Sequence, residues 1–184
     1  MTPSRDEPDA IGDWRQMRFR ATDGHTEVLW VAPARGGAFR VLSVPIWLYG
    51  ISVGTLVRAR EGDQWLEYES TVLSSPGATI RVYLPPNADQ MPASRVYLDR
   101  VFPDCTERDL AIGPATFFDP RLVAIHLERR EEWDTEAAAY FNELVDQGIA
   151  ELWEIADPDM YPPEEAEVEE FDGILVHPRP THGW

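Results

Sequence analysis

Four histidines, a lone cysteine and a set of aromatic residues carry whatever chemistry this 184-residue sequence performs. His126 lies in the apolar run LVAIHLE, with Leu122 and Ala124 on its face and Glu128 two residues further along that face. An imidazole beside a carboxylate can act as a general acid–base pair. His126 and Glu128 are therefore the catalytic candidates, with Arg81 available to hold an anion. The competing reading is a core histidine satisfied by its surroundings, and a single His in an apolar strand favours it. His25, His126, His177 and His182 share no helical or tight-loop spacing, so no metal site is expected. Cys105 sits among Asp104, Glu107 and Asp109, which oppose thiolate formation, so it reads as an inert thiol. No nucleophile elbow, phosphate loop or dinucleotide fingerprint is present, and no cofactor is expected.

Binding residues are easier to nominate. Trp47 and Tyr49 follow Pro45 in a corner where an aromatic can stay exposed, and Glu67 and Glu69 share the outer face of one strand. Further along, Glu164, Glu165 and Phe171 combine carboxylates with an apolar residue. Aromatic anchors ringed by carboxylates suit a basic protein partner. The alternative is that Trp47 and Tyr49 fill the core.

The charge supports the same class of partner. Sixteen basic residues, all Arg, stand against 33 acidic ones, a net charge of −17. Such a chain repels nucleic acid and anionic membranes and attracts basic proteins. The absence of Lys removes Schiff-base chemistry. No run approaches the ~20 apolar residues of a membrane span, and the N-terminus lacks an apolar signal core, so the expectation is a cytoplasmic protein.

The elements that position these residues read as two unlike halves. Residues 1–13, rich in Pro and Asp, are expected to form a flexible arm. From 14 to 76, five short period-two runs (around 17–21, 26–32, 38–44, 56–60 and 65–73) are separated by Gly turns, which predicts a small antiparallel barrel-like sheet. From 77 to 156 the order is strand 78–84, helix 91–102, a short strand at 109–112, a turn at Gly113-Pro114, strand 122–127, helix 136–147 and strand 151–156. That is the split βαβ plan of a ferredoxin-like half, giving an α+β chain. The helix at 91–102 places Ser94, Tyr97, Leu98, Val101 and Phe102 on its packed side. Residues 157–184 form an acidic tail that holds −7 of the charge. Its apolar island, Phe171, Ile174, Leu175 and Val176, is expected to lie back over the domain.

The segment VLWVAP, then FRVLSVPIWLYGISVGTLVRA, then a Ser-Gly stretch before ATIRVYL, resembles the bacterial family called domain of unknown function 4265, over about residues 16–156. The matching positions are Trp30, Pro33, Val44, Pro45, Gly50, Gly54 and Val57. The family pattern favours Asp after the second of these glycines, where this chain has Thr55, and a turn-capping role suits both residues. The resemblance implies a fold and no activity. The function expected is an acidic interaction module, such as an immunity- or inhibitor-type protein covering a basic toxin or nuclease. The alternatives are a small enzyme with its site between the halves, or a small-molecule-binding regulatory domain.

Overall fold

The computed structural model describes residues 13–21, 24–85, 92–119, 121–128, 136–156 and 174–179. In β1 (Arg15–Arg20) Met17 and Phe19 alternate with polar residues and point inward. β1 pairs antiparallel with β2 (Thr26–Pro33), β2 with β3 (Phe39–Val41), β3 with β4 (Leu56–Arg60), and β4 with β5 (Leu66–Leu73). β5 then meets β1 in parallel, Met17 opposite Leu66 and Arg18 opposite Glu67, so five strands close into a barrel. Its core holds Met17, Phe19, Leu29, Val31, Val41, Val57 and Leu66. Gly54 enters β4 with φ +88°, which a side chain would resist. Beside it the Thr55 Oγ1 accepts the Ser52 N–H at 3.1 Å, the turn cap expected of this position.

The second sheet contains β6 (Ala78–Tyr83), β7 (Ile112–Asp119), β8 (Leu122–Leu127) and β9 (Leu152–Ile155) in the order β7-β8-β6-β9, with every neighbouring pair antiparallel. Between β6 and β7 run α1 (Ala93–Val96), a π-helical turn (Tyr97–Val101) and α2 (Phe102–Glu107); α3 (Ala138–Asp146) connects β8 to β9. This is the ferredoxin-like plan, and with the barrel it makes the chain α+β.

Three details differ from expectation. The strand expected at 109–112 begins at Ile112 instead, and Gly113-Pro114 lies inside it. β7 is an edge strand, and its register slips between Ile112 and Ala115, so the missing Pro114 N–H breaks no ladder bond. The helix also passes Phe102 despite Pro103. The Phe102 N–H reaches back five residues to the Tyr97 carbonyl, and this wider turn accommodates the proline. The widened turn rotates the packed face as well. Val96, Tyr97, Val101 and Cys105 are buried, while Leu98 and Phe102 are exposed.

Along β6 and β8 alternate residues face opposite ways. Ile80, Val82, Val123 and Ile125 pack under the helices. Leu122 and Ala124 pack instead against Val44, Ile46 and Val53, in the crossing segment between β3 and β4. The barrel's crossing segment therefore covers the sheet face opposite the helices. Within the region expected as a tail, residues 174–179 are described. β10 (Ile174–Val176) pairs in parallel with β2, Ile174 opposite Thr26 and Val176 opposite Val28.

Candidate functional site

Among the described residues, three gatherings of polar side chains bear on function. The first lies between the crossing segment and the second sheet. Arg81 projects from β6 toward the barrel and is 1% exposed. Its Nη1 donates to the Glu154 Oε1 at 2.7 Å, its Nη2 donates to the Leu48 carbonyl at 3.2 Å, and its guanidinium lies 4.4 Å from the Tyr49 ring centre. The Tyr83 hydroxyl donates to the same Glu154 oxygen at 3.0 Å. Burial disfavours the guanidinium charge, but Tyr49, Glu154 and Tyr83 outweigh it and hold the Arg81 pKa above its ordinary value. Burial, with Glu154 adding to it, raises the Tyr83 phenol. Arg81 is thus engaged by the protein itself and fastens the crossing segment to the sheet; the anion-holding role expected of it finds no support here.

The second place surrounds His126. Its ring lies between two glycines. A Cβ at Gly77 would sit 2.3 Å from His126 Cε1, and one at Gly113 would sit 3.1 Å from Cδ2. The residue is 7% exposed, and burial lowers its pKa to about 4, with a hydrogen bond to the Ala78 backbone opposing part of that. Glu128 is exposed at the end of β8, and among the described residues no hydrogen bond joins it to His126. Cys105 is wholly buried, and burial, then Asp104, pushes its thiol up to about 12.

The third place was not foreseen. Glu27 is 0% exposed on β2, and its Oε1 accepts the N–H of Ile46 at 2.8 Å and of Trp47 at 3.0 Å. His177, which follows β10, brings its Nε2 within 3.4 Å of that oxygen. The Trp30 indole donates to the His177 carbonyl at 3.0 Å, and the Arg179 guanidinium lies over both Trp14 and Trp30. Glu27 Oε2, His177 Nδ1 and Trp47 Nε1 are buried without a protein hydrogen bond among the described residues. Glu27 shares the inward side of β2 with Leu29 and Val31, and a carboxylate in that pattern was the available sequence signal. His177 had none beyond the short ILV run before it.

The nominated binding residues fall on separate elements. Trp47 is half-buried, stacked on His25 at 5.4 Å and edge-on to Phe118 at 5.2 Å. Tyr49 is 37% exposed. Glu67 is paired with Arg18 at 2.6 Å, and Glu69 is exposed on β5. Glu164, Glu165 and Phe171 lie outside the described residues. Among the described residues no group of acidic, His or Cys side chains could hold a metal ion, and no helix is long and apolar enough to cross a membrane.

No curated protein matches the chain. Among solved structures, a hypothetical protein from Neisseria gonorrhoeae is similar in fold, with a TM-score of 0.57 at 12% identity, covering 79% of this chain and 94% of its own. Residues 27–152 match the domain of unknown function 4265 (DUF4265), and the chain belongs to that family.

Proposed function

We propose that the protein is an interaction module that binds a basic protein through its acidic segment, in the manner of an immunity- or inhibitor-type protein. The observation that carries this reading is where the charge lies. The described residues hold 13 Arg against 17 Asp and Glu, whereas residues 157–172 hold eight carboxylates and no basic residue, out of a net charge of −17. That segment joins β9 to β10, two strands hydrogen-bonded into different sheets. Concentrated negative charge speeds encounter with a basic surface, and nearby aromatics add desolvated contact. The test uses two baits in native lysate at low salt: the full chain, and a variant with all eight carboxylates changed to Asn or Gln. A basic protein retained by the first bait only, released by added salt and inhibited when bound, is the expected result. Equal recovery on both baits, or none on either, overturns the reading.

A further inference from the structure

We infer that the open edge of β7 is a homodimer interface, in which residues 115–117 pair antiparallel with the same residues of a second copy across a two-fold axis. The ladder fixes which backbone groups are available. The Leu84 N–H donates to the Arg121 carbonyl at 2.7 Å, and the same register sets Val82 opposite Val123. Successive residues of an antiparallel ladder turn their N–H and C=O to opposite sides. Val123 and Ile125 therefore bond toward β6, and Leu122 and Ala124 bond toward β7. Thr116 is opposite Ala124, so it bonds inward, and Ala115 and Phe117 present their N–H and C=O at the edge. Among the described residues no hydrogen bond reaches those outward groups. Two residues earlier, the Gly113 carbonyl accepts the Tyr97 hydroxyl at 3.3 Å.

The side chains beside this edge are apolar and exposed. Phe117 is 41% exposed, Leu98 60% and Phe102 48%. The Tyr97 ring connects the strand to the helix, its centre 5.7 Å from that of Phe117 and 6.1 Å from that of Phe102. Edges left in water are normally guarded by charges, Pro or a bulge. The Ala-Thr-Phe run offers none of these, and contiguous exposed apolar side chains mark interaction sites.

A second copy is the occupant because the edge complements itself. With the axis through Thr116, Ala115 of one copy faces Phe117 of the other, and the pair exchanges both backbone hydrogen bonds. A small residue thus meets a bulky one on each side of the axis, as an isologous contact requires. Thr116 faces Thr116 in the closer, non-hydrogen-bonded pair, a favourable cross-strand match. Charge points the same way. Two chains of net charge −17 repel each other, and they approach best where local charge cancels. On the helices beside this edge Arg95 pairs with Asp99, Arg100 with Asp104 and Arg108 with Glu143. Three exposed side chains and a short strand fall below the ~800 Å² per partner of a standard interface, so the dimer is weak, with a Kd on the order of 10 μM.

Cross-linking and sedimentation of the purified full chain test this without any basic partner. Thr116→Cys puts a cysteine on the axis, where directly opposed residues meet disulfide geometry; Cys105 is wholly buried and stays out of the reaction. Under mild oxidation this variant should link into dimers, sparsely at about 1 μM and extensively at about 100 μM. Ser70→Cys, at an exposed position on β5, should link at least about tenfold more slowly at both concentrations. The natural chain should sediment at its 20.9 kDa mass when dilute and approach twice that when concentrated. Phe117→Asp and Leu98→Asp should each weaken self-association by at least about tenfold. Leu98 is the more exposed of the two, so its variant carries the test if Phe117→Asp fails to fold. A chain that stays monomeric up to about 1 mM overturns the proposal. So does a dimer that persists in the folded Asp variants, or linking at position 70 as fast as at position 116.

Discussion

The Arg81–Glu154 contact predicts an asymmetry that a stability measurement can read. The Arg81 side chain is 2% exposed and that of Glu154 is 21% exposed. Replacing Glu154 with Met leaves a guanidinium that cannot give up its proton, with only the Leu48 carbonyl at 3.2 Å and the Tyr49 ring at 4.4 Å. Stranding a buried charge costs 3–5 kcal/mol, and the retained contacts place this case at the lower end, about 3 kcal/mol. Replacing Arg81 with Met leaves Glu154, which can turn toward water, together with an unpaired Leu48 carbonyl. That change should cost about 1–2 kcal/mol. The double Met variant strands no charge and should be no worse than Arg81→Met alone. Urea unfolding at pH 7 separates the three. With a slope of about 2–3 kcal/mol per molar, Glu154→Met should move the midpoint by roughly 1 M and Arg81→Met by about half of that. If Arg81→Met is the more damaging single change, or the double variant the least stable of all, burial asymmetry does not govern this contact.

Three further outcomes follow from the packing and the shifted pKa values. Gly77→Ala would set a methyl 2.4 Å from the Leu127 carbonyl as well as against His126, and the Gly77 carbonyl accepts the Ser52 hydroxyl; it should cost about 3 kcal/mol by thermal or urea unfolding, while Gly113→Ala, needing only a small shift of the ring, should cost about 1 kcal/mol. His126 binds its proton near pH 4 when folded and near 6.5 when unfolded. Stability therefore falls as pH drops through that window, by up to about 3 kcal/mol, and a comparison with His126→Asn across pH 4–7 should show that part of the slope missing. Cys105, wholly buried with its thiol pushed up to about 12, should resist a thiol-specific reagent in the native protein and react once urea unfolds it.

Where local pattern matched burial, the sequence was readable. Met17 and Phe19 alternate with arginines because one side of β1 lines the barrel. The same reasoning located β2, β4, β5, β6 and β8 within a residue or two. β7 was obscured because a Gly-Pro pair reads as a turn unless the strand is known to be at an edge, which is a property of the tertiary arrangement. The packed side of the first helical stretch was misjudged because an α-helical repeat was applied across a π turn. The His126 neighbourhood followed the core-histidine reading in its burial, although the flanking glycines that shape it carried no local signal. The Glu27–His177 contact spans 150 positions, and no periodicity extends that far. Only the isolated acid in β2 and the ILV run in the acidic tail hinted at it.

The crossing segment between β3 and β4 has a consequence for any attempt to divide this protein. Val44, Ile46 and Val53 belong by sequence to the barrel yet roof the face of β6 and β8 that bears Leu122 and Ala124. A polypeptide severed near Ser75 would yield one fragment with an overhanging apolar flap and another with a bare greasy floor and a desolvated arginine suddenly wetted. Neither should remain dispersed alone, whereas co-expression of the two should restore a soluble pair. During synthesis the flap emerges from the ribosome well before the floor it covers, so the nascent chain must carry it uncovered for roughly the length of the second sheet.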